Sequence, residues 1–281
     1  MSLFLRQLNG ELRKLFARRR TFIGFGAFLA FEIAFLYFLR LEKVQAAFRG
    51  SIDRAGYDPS MYLSGLTLAF IIAAATVFLL EALFLALVAG DVVGKEVEDG
   101  SMRMMLCRPV TRGRILVLKV IVSCLYTFAL TFFVMLTALL AGVLNSGFGG
   151  LFAFAPLEGV FAFHDFWPGI ARYLLAIPLL SVSLCTIAMI AFCFSCCNMK
   201  PSAATVITLA LLFIDSILRS IPYFASIQGW FLTPKMASWI HIFEYRIPWE
   251  MMVENYAWLI AVDVTLFFVA WAIFESRDFK S

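Results

Sequence analysis

Charged residues are scarce in this chain. Only 15% of its 281 residues are Asp, Glu, Lys or Arg, whereas a soluble domain carries about 25%. The polar connections between the apolar stretches extend over only a few helical turns, which leaves no room for a separate soluble domain. Since 62% of the residues are hydrophobic, the composition indicates an integral membrane protein.

The chain also lacks the alternating pattern of a membrane β-barrel, because its apolar residues stand in continuous runs. Six runs of about 20 residues are long enough to cross the hydrocarbon core as helices. They lie at residues 22–39, 66–89, 116–144, 170–194, 203–222 and 257–274. We therefore predict an all-α membrane protein in which residues 1–281 form a single transmembrane domain.

Basic residues are unevenly shared between the two predicted sides. Most of the 23 Lys and Arg residues fall in the N-terminal arm, after the second run and near the C-terminus. The positive-inside rule places this side, with both termini, in the cytoplasm. The first run is too long for a signal peptide, and no small-residue cleavage site follows Leu39. We expect a multi-pass protein of the plasma or inner membrane.

Residues that form disulfides or metal sites are few. None of the six cysteines falls in a predicted outer connection, which argues against a disulfide framework. The cluster at 193–197 has no accompanying histidine, so we interpret its cysteines as packing residues. Both histidines lie in outer connections near acidic residues: His164, Asp165, His241 and Glu244. A metal site built from these two connections remains an alternative, although their spacing does not require one.

The N-terminal arm, residues 1–20, predicts an amphipathic helix on the membrane surface. Its apolar residues recur at helical spacing on one face, and basic residues lie away from that face. The apolar positions are Leu5, Leu8, Leu12, Leu15 and Phe16. The alternative is a topology signal alone, which would not need an apolar stripe.

Two outer connections, 145–168 and 223–256, are rich in aromatic residues and interrupted by prolines. They are too aromatic for free loops and too broken for further spans. We predict short interfacial or re-entrant helices in both. They would serve either as an aromatic anchor or as a lateral gate that faces lipid.

Charged residues inside the apolar runs are costly in lipid and usually face a partner or water. Those that we single out are Glu32, Glu81, Asp215, Arg219 and Asp263. Because Asp215 and Arg219 are four residues apart, they can pair on one helix face. Glu32 has no such partner in its own helix and is the better candidate for a functional carboxylate.

The most polar stretch begins with Gly90-x-x-x-Gly94-Lys95, which looks like a loop that binds nucleotide phosphates. The phosphate-binding motif needs one more residue between its glycines and a Ser or Thr after its lysine. Here Glu96 follows Lys95, and the preceding element is a predicted membrane helix. We therefore expect no ATP site in this stretch.

Residues 94–112 instead predict a short helix with a docking surface. Gly94 and Gly100 bound an acidic cluster, Ser101 is placed to cap a helical turn, and Pro109 ends that turn. Met and Leu side chains among charges of both signs suit protein docking. The candidate docking residues are Gly94, Glu96, Glu98, Gly100, Arg103, Met105, Leu106, Arg108 and Pro109.

The same stretch, GKEVEDGSMRMMLCRPVTR, resembles the E-x-E-x-G-T-x-x-x-L-L-S-x-P-V-S-R signature of ABC transporter permeases of the type-2 exporter class. The basic elbow helix and the ending at 274–279 are similar to those of the class as well. The resemblance implies that 94–112 is a coupling helix that fits a groove in a separate ATPase subunit. It also implies a re-entrant outer segment at 223–256 before the last span.

The resemblance implies a permease subunit of an ATP-driven exporter, which exports a substrate or extracts it from the bilayer. Two ATPase subunits would bind ATP and Mg, and a second permease would complete a homodimer or heterodimer, with Glu32 at its interface or on a water-filled path. We expect no cofactor, catalytic residue or nucleic-acid partner in the chain itself. The alternatives are a force-transmitting scaffold without transport and an intramembrane enzyme that uses Glu32 or Asp263.

Overall fold

The fold is almost entirely helical. The structure is a computed structural model and describes residues 3–17, 19–106, 111–197 and 199–277. The α-helices are α1 (Leu3–Ala17), α2 (Arg19–Leu39), α3 (Glu42–Arg54), α4 (Pro59–Tyr62), α5 (Gly65–Thr76), α6 (Ala82–Glu98), α7 (Ser101–Leu106), α8 (Arg112–Ser146), α9 (Phe166–Cys196), α10 (Pro201–Ser220), α11 (Leu232–Met236) and α12 (Trp249–Ser276). Two strands, β1 (Leu151–Ala155) and β2 (Val160–His164), interrupt the helical pattern.

Five helices in the described ranges are long and apolar enough to cross a membrane: α2, α8, α9, α10 and α12. They correspond to the first and the last four predicted runs. The remaining run, 66–89, lies in α5 and α6, which a π-helical turn at Val77–Glu81 connects. The prediction of an all-α membrane domain is therefore confirmed for the bundle, while its second run contains an irregular turn.

One end of the bundle brings together α1, α7 and the ends of the longest helices. Arg112 at the start of α8 donates from Nη1 to the carbonyl oxygens of Glu275 and Arg277, at 2.9 and 3.0 Å. Arg277 in turn donates to the carbonyls of Cys196 and Cys197. Both arginines satisfy carbonyl groups that a helix leaves free at its C-terminus. We call this the basic end.

The predicted N-terminal helix is present as α1, and its apolar face packs on the bundle from Leu8 onward, whereas Leu5 is 47% exposed. Leu15 is buried, and Leu8, Leu12 and Phe16 pack against the core. The helix contacts α8 and α2. The amphipathic pattern of the arm therefore covers a face of the protein itself.

At the opposite end, residues 151–164 form an antiparallel hairpin, so the prediction of broken helices is wrong for this connection. Leu151 pairs with His164, and Ala155 pairs with Val160. Phenylalanines alternate with small residues along both strands, which is a strand pattern, and Gly159 makes the turn with φ +72°. The sequence interpretation relied on the aromatic content and the prolines of this connection and overlooked the alternation. Phe152 and Phe163 stack across the hairpin, with ring centroids 4.7 Å apart.

The connection before the last helix does consist of short helical pieces. Two 3₁₀ segments, Pro222–Trp230 and Ala237–Phe243, flank α11. Asp215 accepts hydrogen bonds from the backbone N–H groups of Leu232 and Thr233, at 3.1 and 2.7 Å, and so caps α11.

The predicted Asp215–Arg219 pair is therefore wrong. Arg219 bonds to Glu158 in the hairpin turn, with Nη1 and Oε1 2.8 Å apart. Four-residue spacing permits a pair on one helix, but the free N–H groups of α11 and the hairpin carboxylate give these residues other partners. Both side chains connect α10 to the layer at the opposite end.

Within the bundle, α5 packs on α8, and α6 packs on α9 and α10. The first contact is a backbone approach, because a Cβ added at Gly142 would overlap the carbonyl oxygen of Gly65. Glycine at this position allows the two helices to meet without an intervening side chain.

We expect Gly142→Ala to destabilise the protein by about 1–3 kcal/mol, since the methyl group would push two backbones apart. The control is Gly26→Ala in α2, where an added Cβ meets nothing within 4 Å. Thermal unfolding in detergent should show a lower Tm for the first variant only. An unchanged Tm for Gly142→Ala would mean that the helices can separate freely at this point.

Candidate docking site at the basic end

The two glycines of the stretch that looked like a phosphate loop lie inside α6, where they form a contact surface for neighbouring helices. The Ser195 hydroxyl of α9 accepts from the Gly94 N–H at 2.8 Å and donates to the Gly90 carbonyl at 2.6 Å. A Cβ at Gly94 would stand 3.1 Å from Pro201 at the start of α10. The Gly-x-x-x-Gly spacing therefore allows close helix contact.

A tight turn joins α6 to the predicted short helix. Gly100 adopts φ +70°, in the left-handed region that favours glycine. The chain then enters α7 at Ser101, whose hydroxyl donates to the Glu96 carbonyl at 3.2 Å. This turn directs α7 away from the axis of α6.

The two ends of the turn expose different groups. Glu98 is exposed at the end of α6. On α7, Met102 is buried, whereas Met104 is 70% exposed. Arg103, Met105 and Leu106 lie in α7, while the predicted docking residues Arg108 and Pro109 lie outside the described residues. The described surface of the site is thus an exposed methionine beside an acidic helix end.

Glu96, which we expected on the docking surface, lies in the interior. It is 5% exposed, and its Oε2 is 2.7 Å from Nζ of Lys119, which is 1% exposed. Lys119 also donates to the Val92 carbonyl at 2.9 Å. Lys119 lies within the predicted run 116–144, and α8 places it against α6. Glu96 therefore acts on the site by holding α6 to α8.

Glu11 connects α1 to the same charge. Its Oε2 is 3.5 Å from Nζ of Lys119, and its Oε1 is 2.6 Å from Nζ of Lys14. Burial acts to raise the pKa of Glu11, but Lys119 and Lys14 together hold it below its ordinary value of 4.5. We call Glu11, Lys14, Glu96 and Lys119 the Lys119 cluster. It joins α1, α6 and α8 directly behind α7.

A comparison with family models identifies the family that has this architecture. The model described as ABC-2 family transporter protein matches residues 11–274. The chain belongs to this family. A search of curated proteins gave no match.

Membership makes this ABC-2 protein a permease subunit of an ABC transporter, embedded in the bilayer and distinct from the ATPase with which such subunits work. The matched region includes α6, α7 and the Lys119 cluster. The polar turn at the basic end therefore belongs to a transporter subunit.

The intramembrane acids of this ABC-2 protein lie inside the single chain. Glu32 is 1% exposed and accepts from the Thr137 hydroxyl of α8 at 3.0 Å. Within the chain, α8 covers this side chain, and its predicted position at a permease dimer interface or on a water-filled path stays a prediction. Asp263 has a buried oxygen, Oδ1, without a hydrogen-bond partner among the described residues.

The two histidines take separate partners. Nε2 of His164 is 2.6 Å from the Phe243 carbonyl, and Nδ1 of His241 bonds to Glu244. Within the described ranges, no three His, Cys, Asp or Glu side chains converge as a metal site would need.

Sequence reasoning missed Glu11 and Lys119 as site residues. Glu11 lies in the N-terminal arm and Lys119 in the run 116–144, but neither was among the candidate residues. Applying the rule for intramembrane charges to Lys119 would have marked it. Its partners are 23 and 108 residues away in the chain, so only the packed helices identify them.

We expect Lys119→Met to destabilise the protein by about 3–5 kcal/mol, because Glu96 would remain buried without its cation. The double variant Lys119→Met/Glu96→Leu should regain most of the loss. Lys14→Met, at the exposed edge of the cluster, should cost about 1 kcal/mol or less. Thermal unfolding of the wild type and these three variants in detergent measures the differences. Equal stability of wild type and Lys119→Met would refute the stabilising role of the pair.

The lowered pKa of Glu11 predicts a pH dependence. A carboxyl whose pKa is lower in the folded state stabilises the fold above its ordinary pKa of 4.5, and that contribution is lost as pH falls through the folded value. Glu11→Gln should lower the Tm at neutral pH and flatten the loss of Tm below 4.5. Parallel Tm curves for both proteins would contradict this assignment.

Proposed function

We propose that this ABC-2 subunit couples ATP hydrolysis by a separate ATPase to the export of a substrate or its extraction from the bilayer, with residues 94–112 as the coupling segment. The observation that most supports this proposal is α7, a short helix with an exposed Met104 next to the acidic end of α6. Apolar side chains bordered by charge are typical of docking surfaces.

The support behind α7 suits it to transmit movement. Met102 anchors α7 in the core, and Ser101 bonds to the Glu96 carbonyl. Glu96 is itself paired with Lys119 of α8. A displacement of α7 would therefore act on α6 and α8 together.

The assembly that we propose has two permeases and two ATPases. The basic end faces the cytoplasm, because the positive-inside rule assigns the side richer in Lys and Arg to that compartment. The ATPases bind ATP and Mg, and the permease itself performs no covalent chemistry. The second permease is either another copy of this chain or a sister subunit.

A second candidate is a force-transmitting subunit that acts on an extracytoplasmic partner without transport. The observation that favours it is the folded layer at the opposite end, where Leu157, Trp167 and Trp230 are 74–86% exposed. Reconstituted vesicles with the partner ATPase distinguish the two functions: flux driven by ATP supports export, and ATPase activity without flux supports force transmission.

We expect Met104→Glu to weaken ATPase binding roughly thirtyfold, since truncating or charging an interface hot spot costs about 2 kcal/mol. The matched control is Met61→Glu at the opposite end, where the methionine is similarly exposed at 61%, compared with 70% for Met104. Titration of the purified permease with its ATPase gives the two affinities.

A topology reporter on each connection should show the same insertion for both variants, because insertion depends on hydrophobicity and flanking charge. If Met104→Glu binds the ATPase at wild-type strength, α7 does not form the docking surface. If Met61→Glu weakens binding equally, the effect is not specific to the basic end.

A further inference from the structure

A row of buried polar side chains runs along α8 from the Lys119 cluster into the bundle. Lys119, Ser123, Thr127 and Thr131 recur every fourth residue, which places them on one ridge of the helix. Each is at most 2% exposed. At 1.5 Å per residue the row is about 18 Å long. We call these four residues the α8 polar row.

The inner end of the row meets an incompletely bonded carboxyl group. Glu81, the last residue of the π-helical turn, is 0% exposed. The Thr131 hydroxyl donates to its Oε1 at 2.6 Å. Its Oε2 is buried and has no hydrogen-bond partner among the described residues, and the same holds for the hydroxyl of Tyr126. π-helical turns within α-helices are frequent at functional sites.

An ionised Glu81 would be isolated at this depth. The ion pairs of the described residues do not include it. The titratable group that acts on it from α8 is Tyr126. A buried carboxylate with a single hydrogen bond is strongly unfavourable, whereas the protonated acid can itself donate.

The other titratable groups in these helices have separate surroundings. On α2, Glu32 is bonded to Thr137. On α9, the Tyr173 hydroxyl donates to the Met135 carbonyl. On α12, Asp263 lies beside Thr186 of α9. The side chain that is hydrogen-bonded to Glu81 among the described residues is Thr131 of the α8 polar row.

The hydroxyls of the row can accept and pass on a proton. Ser123 donates to the Lys119 carbonyl at 3.0 Å, and Thr127 donates to the Ser123 carbonyl at 3.1 Å. Each hydroxyl keeps free lone pairs and can rotate. Residues four apart stand about 5–6 Å from each other, a distance that one bridging water spans.

We propose that Glu81 is a proton-binding site in the centre of the bundle, reached from the basic end along the α8 polar row. In this conformation the carboxyl group holds the proton. The proton exchanges with water at the Lys119 cluster through the hydroxyls of Thr131, Thr127 and Ser123 and the waters between them. The ligand is the proton alone, and no bond to carbon is made or broken.

Infrared spectroscopy of the full chain in lipid nanodiscs tests the site. At neutral pH the wild type should show a protonated-carboxyl C=O band that Glu81→Gln removes and Glu81→Asp shifts. Glu32→Gln should leave this band in place. The absence of any Glu81-dependent protonated band would overturn the proposal, because it would show an ionised carboxylate. This readout needs neither ATPase nor transported substrate, so its result is independent of the proposed function.

The route is tested by deuterium exchange into the same band. Thr127→Val should slow the exchange about tenfold, the effect of one lost hydrogen bond on the barrier. The matched control is Thr208→Val in α10. Thr208 is equally buried, and its hydroxyl donates to the carbonyl of Ala204 in the same helix at 2.8 Å. Wild-type exchange in Thr127→Val, or equal slowing in both variants, would refute the row as the route.

Discussion

The basic end of this ABC-2 protein depends on the buried pair of Lys119 and Glu96. Two charges removed from water are tolerated only in contact with each other and with further polar groups, and here those are the Val92 carbonyl and Glu11. The pair fixes α6 to α8 about one turn before α7 begins. As a result, the residues that precede α7 are held in a fixed position.

The same constraint explains the polar contacts deeper in the bundle. Because lipid tails offer no hydrogen bonds, polar groups in the bundle must bond to one another or to water held between the helices. Thr137 bonds to Glu32 across helices, and Ser195 bonds to two backbone groups of α6. Glu81 is an exception, because one of its oxygens has no hydrogen-bond partner in the described part of the chain. The protonation of this carboxyl group is therefore relevant to function.

Much of this fold could be predicted from the sequence, because each long apolar run carries its own signal of length and composition. The short helix α7 could be predicted as well, since Gly100, Ser101 and the polar flanks are local features. The hairpin at 151–164 was missed although its period-two pattern was present. The partners of Lys119 and Asp215 could not be predicted, because they come from helices that are adjacent only after folding.

The π-helical turn at Val77–Glu81 changes the direction in which the side chains after it point. One additional residue in a turn rotates everything that follows by about 100° around the axis. The first half of this helix accordingly faces α8, while the second half faces α9 and α10. A helix of uniform pitch would keep its α8-facing side in one direction along its whole length. The irregular turn lets one continuous segment belong to two different packing layers.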